Sequence, residues 1–158
     1  MTITTNSNAQ GWTIACQCNE TVLKAHGAPI QIAICHCSDC RMAQGGNAAT
    51  QNLALMRRDQ VESSLDNLKV VAAEEYIDKV PRYFCDACGD CLVGDCTPVG
   101  FDMVIVPTSR MSDMAELGDP DYHMHLEQGT TEPPADGLPR FQGHPEDPYM
   151  AALVEGCA

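Results

Sequence analysis

The chain has 158 residues and a mass of 17.1 kDa, with 22 acidic residues against 9 basic ones and a formal charge of −13. Its hydrophobic content of 44% suits one domain with a buried core. So acidic a surface repels nucleic acid and anionic lipid, which argues against both as general partners, and no apolar run approaches the roughly 18 residues of a membrane span.

Residues 1–10 carry neither the basic nor the apolar region of a signal peptide and read as a short disordered leader of a cytoplasmic protein. Alternation then predicts a strand over 12–16 and a hairpin partner over 21–25. A third strand, 30–35, runs into CHCSDCR, where Ser38 is a fitting N-cap for a turn of helix carrying Asp39, Cys40, Arg41 and Met42, stopped by Gly45-Gly46. Further strands are expected at 49–55, 68–72, 82–84, 91–94 and 103–107, with one helical turn near 112–117. From Gly118 on, prolines and glycines predict an extended wrap. Short strands separated by turn residues give a mainly β, antiparallel domain over 11–145, with 146–158 as a tail.

The ten cysteines carry the chemistry. They group as Cys16-x-Cys18, Cys35-x-Cys37-x-x-Cys40 and Cys85-x-x-Cys88, leaving Cys91, Cys96 and Cys157. Thiols this close rarely bridge one another, and the chain is longer than the small secreted scaffolds that need disulfides. Metal ligation fits better. In a strand, residues i and i+2 face one way, so each Cys-x-Cys aims two sulfurs at one point. Cys85-Asp86-Ala87-Cys88-Gly89 has the form of a zinc knuckle whose closing glycine accepts a left-handed backbone. Spacing alone leaves the pairing open: Cys18 and Cys35 are separated by 16 intervening residues, a normal zinc-finger loop, so Cys16 and Cys18 with Cys35 and Cys37 would also serve. Alternation turns His36 away from a metal held by its neighbours. Cys91 and Cys96 read as small core residues and Cys157 as an exposed thiol.

Taken in order, Cys16-x-Cys18, CHCSDCR with Gly45 behind it, Tyr76 and RYFCDACG at 82–89 resemble the glutathione-dependent formaldehyde-activating enzymes, a family that includes the centromere protein V group. The likeness runs over about 11–141, with YHMH at 122–125 and DGLPRF at 136–141 fitting more loosely. Cys18 is followed by Asn19 where relatives have glycine, Cys91 stands where they have a small hydroxyl residue, and the family's tail tryptophan is absent.

The resemblance implies a β-tent fold with two zinc sites. Cys16, Cys18, Cys85 and Cys88 would form a closed structural site, and Cys35, Cys37 and Cys40 a catalytic site with one position open. It also implies carbon–sulfur lyase chemistry on glutathione adducts, by default S-(hydroxymethyl)glutathione formation from glutathione and formaldehyde. The alternative is a noncatalytic zinc module of the same fold, serving as glutathione carrier or protein-interaction domain. Glutathione is anionic, so cations should greet it: Arg57-Arg58, the only basic pair, and Arg41, which would equally answer the helix dipole. Tyr76, His123 and His125 are candidates to line the cleft. Oxidation is expected to begin at the three-cysteine site. Self-association is compatible with all of this.

Overall fold

Why do 158 residues with so many turns hold together? In the computed structural model, which describes residues 11–43, 50–62, 68–71, 74, 79–112, 117–129 and 135–143, period-two sorting supplies the answer. The expected strands form β1 (Gly11–Ala15), β2 (Val22–His26), β3 (Gln31–Cys35), β4 (Gln51–Arg57), β5 (Lys69–Val71), β6 (Arg82–Phe84), β7 (Cys91–Asp95) and β8 (Met103–Pro107). Strands β1 and β2 pair as an antiparallel hairpin, Trp12 against Ala25 and Ile14 against Leu23. The others form a sheet of order β5-β6-β7-β8-β4-β3, extended at its far edge by β9 (Tyr122–Met124).

The central strands are buried on both faces, so they read as nearly continuous apolar runs. Alternate residues nonetheless belong to different cores. Ile32, Ala54, Met56, Val104 and Val106 pack with Trp12, Ile14, Leu23 and Ala25 under the hairpin. Ala33, Leu53, Leu55, Met103 and Ile105 face the other way, together with Cys35, Cys37 and Cys40. A one-residue slip of any central strand would exchange the two sets, which fixes the register. The hairpin is tied on by the Trp12 indole N–H to the Gly27 carbonyl (2.9 Å) and by Ser112, whose N–H reaches Thr13 O (2.9 Å) while its hydroxyl accepts from Thr13 N–H (3.0 Å).

Two expectations need correction. The region after Gly118 is not only an extended wrap: it contains β9, which lies parallel to β3, Ala33 beside Tyr122 and Cys35 beside Met124, so the sheet is not wholly antiparallel. Apolar Tyr122 and Met124, flanked by a proline-rich chain, bury fully once β3 supplies a partner edge. Residues 135–143 then follow β9, with His123 N–H to Pro139 O (2.9 Å) and Phe141 N–H to His123 O (3.0 Å). The leader 1–10, Gly45-Gly46, Tyr76, most of the 112–117 turn, residues 144–158 and Cys157 lie outside the described residues. No helix among the described residues is long and apolar enough to cross a membrane.

Candidate functional site

Seven sulfurs gather into two groups, and they are the groups the family resemblance implies rather than the 16/18 with 35/37 pairing. The Sγ atoms of Cys16, Cys18, Cys85 and Cys88 all lie within 4.8 Å of one another, as do those of Cys35, Cys37 and Cys40. The closest separations, 3.4 Å for Cys16–Cys18, 3.8 Å for Cys18–Cys85 and 3.5 Å for Cys35–Cys40, match the roughly 3.8 Å that tetrahedral zinc imposes on its thiolates. Donor type and spacing therefore fit zinc at both places.

The first group is built from two turns. Cys16 and Cys18 follow the end of β1 instead of lying in it, so strand alternation is not what converges them. Cys16 N–H bonds Thr21 O (3.2 Å) and Asn19 N–H bonds Cys16 O (3.1 Å), curling the chain around the sulfurs. Asn19 sits at φ 61°. Asparagine tolerates this left-handed region better than most residues, so it stands in for the glycine of relatives. Gly89 closes the second turn at φ 80°, as the knuckle requires. Asp90 clamps the turns together, accepting from Gln17 N–H (2.6 Å), Gln17 Nε2 (3.3 Å) and Arg110 Nη1 (3.1 Å). The Thr21 hydroxyl, followed by the N–H of Cys88, pulls the Cys85 thiol down to about 6, readying it as a thiolate ligand.

The second group lies on the opposite face of the sheet. Cys35 ends β3, Cys37 follows it, and Cys40 returns on α1 (Ser38–Ala43). The start of α1 is fixed by Gln128, whose Oε1 accepts from both the N–H and the hydroxyl of Ser38 (3.0 Å each). Hydrogen bonds from Cys35 and then Cys40 hold the Cys37 thiol well below its usual range, while sharing with Cys37 and Cys40, plus burial, pushes Cys35 well above. The N–H of Cys40 also points at Cys37 (3.2 Å).

Accessibility runs opposite to the sequence expectation. Cys35, Cys37 and Cys40 are 0%, 2% and 5% exposed, whereas Cys18 and Cys88 of the first group are exposed. Beside the buried group lies a small cleft lined by Cys40, Gln51, Leu53, Arg82, Cys91, Gly94, Ile105 and Pro107. Burial keeps the Cys91 thiol neutral, its pKa pushed up to about 12.

Of the expected cations, Arg57 and Arg58 do not line the cleft. Arg57 and Arg58 stand at the far end of β4 from Gln51, which pairs with Cys35. Six residues of strand, about 20 Å, separate Arg57 from Gln51 and so from Cys35 beside it. Arg57 faces Asp59 (3.4 Å), and Arg58 Nη1 donates to Val61 O (3.3 Å). Arg41 belongs to α1, but its side chain lies outside the described residues. Among the described residues the cation lining the cleft is Arg82, the first residue of RYFCDACG. Nothing local in the sequence marks it, since its burial and its contact with Cys40 are both long-range.

His36 and His123 do not line the cleft. His36 turns away from the sulfurs, as alternation predicts, and its Nε2 lies 2.9 Å from Nδ1 of His123. His123 Nε2 then donates to Asp136 Oδ2 (2.7 Å), an interaction that holds the Asp136 carboxyl below its usual value. The carboxylate fixes the proton on His123 Nε2, so Nδ1 accepts from His36. This line, buried at its two histidines, latches residues 135–143 to the backbone between Cys35 and Cys37. His125, with a left-handed φ of 59°, lies close enough to Cys37 to favour its thiolate.

Among solved structures, the chain is similar to a crystal structure of a Rhodobacter sphaeroides protein from structural genomics, at 15% identity and a TM-score of 0.48, covering 82% of this chain and 98% of that one. No curated protein is detectably similar to it. The sequence profile of the glutathione-dependent formaldehyde-activating enzymes matches residues 11–128, three-quarters of the chain, and takes in both cysteine groups; the protein belongs to that family.

Proposed function

We propose that this protein forms and cleaves a carbon–sulfur bond between glutathione and a small aldehyde, formaldehyde being the family's default, at the Cys35, Cys37 and Cys40 group. The carrying observation is an asymmetry: four cysteines form one group, three form the other, and the cleft opens onto the three through Cys40. A structural zinc keeps four protein ligands, whereas a catalytic zinc keeps one place free. Bound at Cys35, Cys37 and Cys40, zinc would supply a soft Lewis acid that favours a deprotonated thiol near neutral pH.

The chain's own residues define the rest. Leu53, Ile105 and Pro107 give the cleft an apolar wall that limits water around a small electrophile, and Gln51 and Arg82 supply its polar groups. In the forward direction the sulfur's electron pair forms the new C–S bond. The carbonyl π pair moves to oxygen, which takes up the proton that the thiol gave up. Cleavage is the reverse, and no oxidant or reductant is consumed. The Cys16, Cys18, Cys85 and Cys88 group serves as the structural site in this reading.

Calorimetry on the zinc-loaded protein tests it. Glutathione should bind weakly, because a chain of charge −13 opposes an anionic tripeptide. S-methylglutathione, lacking a free thiol, should bind at least about tenfold less well. NMR exchange spectroscopy should show faster exchange between glutathione and its hydroxymethyl adduct, and Cys40→Ser should abolish the acceleration. Equal affinity for the two ligands with no acceleration would leave a noncatalytic zinc module.

A further inference from the structure

We propose that Arg82 is the positioning residue of the three-cysteine group, fixing Cys40 and supplying the positive charge that lets a buried thiolate cluster retain its metal. The proposal rests on the reading of that group as a metal site. Its starting point is burial. Arg82 is 1% exposed, the one lysine or arginine among the buried described residues. An arginine is seldom taken so far from water unless something there needs its charge.

The need is visible in the charge count. Three thiolates around a divalent zinc leave a net charge of about −1. A negative centre in a water-poor setting is unfavourable without a counter-charge, and Arg82 brings one to Cys40 itself, with Nη2 donating to the Sγ at 3.4 Å.

The geometry is set on three sides. Nη1 of Arg82 is anchored on the Val80 carbonyl (2.9 Å), so the planar guanidinium presents Nη2 in one direction. The residue paired across from Arg82 on β7 is Gly94, also in the cleft lining, over which Ile105 and Val80 pack. Three residues further along the chain, Cys85 belongs to the four-cysteine group on the other face. One short strand thus delivers a ligand to one metal site and a counter-charge to the other. Lysine keeps the charge but has a single ammonium that cannot span Val80 O and Cys40 Sγ as a fork.

Zinc transfer to a colorimetric chelator tests this without reference to activity. The wild type should release two zinc ions in two phases, and loss of one phase in Cys40→Ser identifies the ion held by Cys35, Cys37 and Cys40. In Arg82→Met that phase should accelerate about tenfold or more, the usual consequence of removing a partner that orients a ligand, while the other phase is unchanged. Arg82→Lys should fall between the two. A merely structural role would move both phases together and gain nothing from lysine. If Arg82→Met does not fold, Arg82→Lys alone decides, with partial acceleration expected. Two zinc ions with an unmoved phase in Arg82→Lys and Arg82→Met would overturn the role of Arg82. A wild type that binds only one zinc would instead overturn the reading of the three-cysteine group and the proposal with it.

Discussion

Gly94 offers a way to disturb the cleft while touching no sulfur. A Cβ built there would sit 2.7 Å from Ile105 Cγ1, 3.0 Å from its Cδ1 and 3.3 Å from Val80 Cγ1. Something must give, and Ile105 lines the cleft, so the open direction for its side chain is into the space the substrate would occupy. Overpacking of this kind costs about 1–3 kcal/mol. The stiffer alanine backbone returns about 0.4–1 kcal/mol, since Gly94 does not occupy the left-handed region. The net loss for Gly94→Ala is about 0–2.6 kcal/mol, or up to roughly 10 °C in Tm for a domain of this size. Activity should fall further, about tenfold or more, because an ångström of misplacement near a reacting centre is expensive. Val104→Ala is the matched control: it removes a fully buried side chain from the opposite core at a similar cost of about 2 kcal/mol. Thermal unfolding and adduct exchange on both variants decide the matter. If they lose stability and activity in the same proportion, or if Gly94→Ala keeps full activity, the cleft is not where the substrate sits.

Three other outcomes are expected. Cys85→Ser should give an unfolded or aggregated chain, because metal binding at a structural site is folding free energy, whereas Cys40→Ser should remain folded by circular dichroism with one zinc fewer; a stable, normally folded Cys85→Ser protein would reverse the assignment. Mild peroxide, followed by mass spectrometry of alkylated peptides, should modify Cys18 and Cys88 before Cys35, Cys37 or Cys40, because only the first two are exposed; modification of the buried three first would contradict the burial. Asp136→Ala should speed hydrogen exchange at the amides of His123 and Phe141, which pair β9 with the chain after it; unchanged protection would mean that the His123–Asp136 bond does not hold this segment.

How much of this could be read in advance depended on whether a signal was local. Strands 82–84 and 103–107 were legible from apolar runs between turn residues, and α1 from Ser38 before Asp39. The cysteine grouping came through motif order, since spacing alone left two pairings equal. Strand β9 was hidden because three residues among prolines carry almost no periodicity; they become a strand only because β3 offers an edge. Arg57-Arg58 misled for a different reason. Adjacent charges stand out in a sequence, but a strand of seven residues carries its two ends about 20 Å apart, and it is the other end that meets Cys35. Arg82 was inconspicuous because its burial and its contact with Cys40 are both long-range facts.

The position of β6 between the two cysteine groups makes their dependence on each other unequal. Its pairings with β5 and β7 cover three residues, and its exit is held by Cys85, whose N–H bonds Asp90 O (2.9 Å) and whose sulfur joins the four-cysteine group. If that group opens, the strand loses the end restraint that keeps Arg82 aimed across the sheet, and Cys40 loses its hydrogen-bond partner in turn. The reverse does not follow. If Cys35, Cys37 and Cys40 give up a metal, β6 is still held by its neighbours and by the closed group, and Arg82 still has the Val80 carbonyl. On the proposed function, the three-cysteine cluster would exchange ligands while the domain stays folded, and the four-cysteine cluster would tolerate exposed sulfurs because its clamp, Asp90 with Gln17 and Arg110, does not depend on what happens in the cleft.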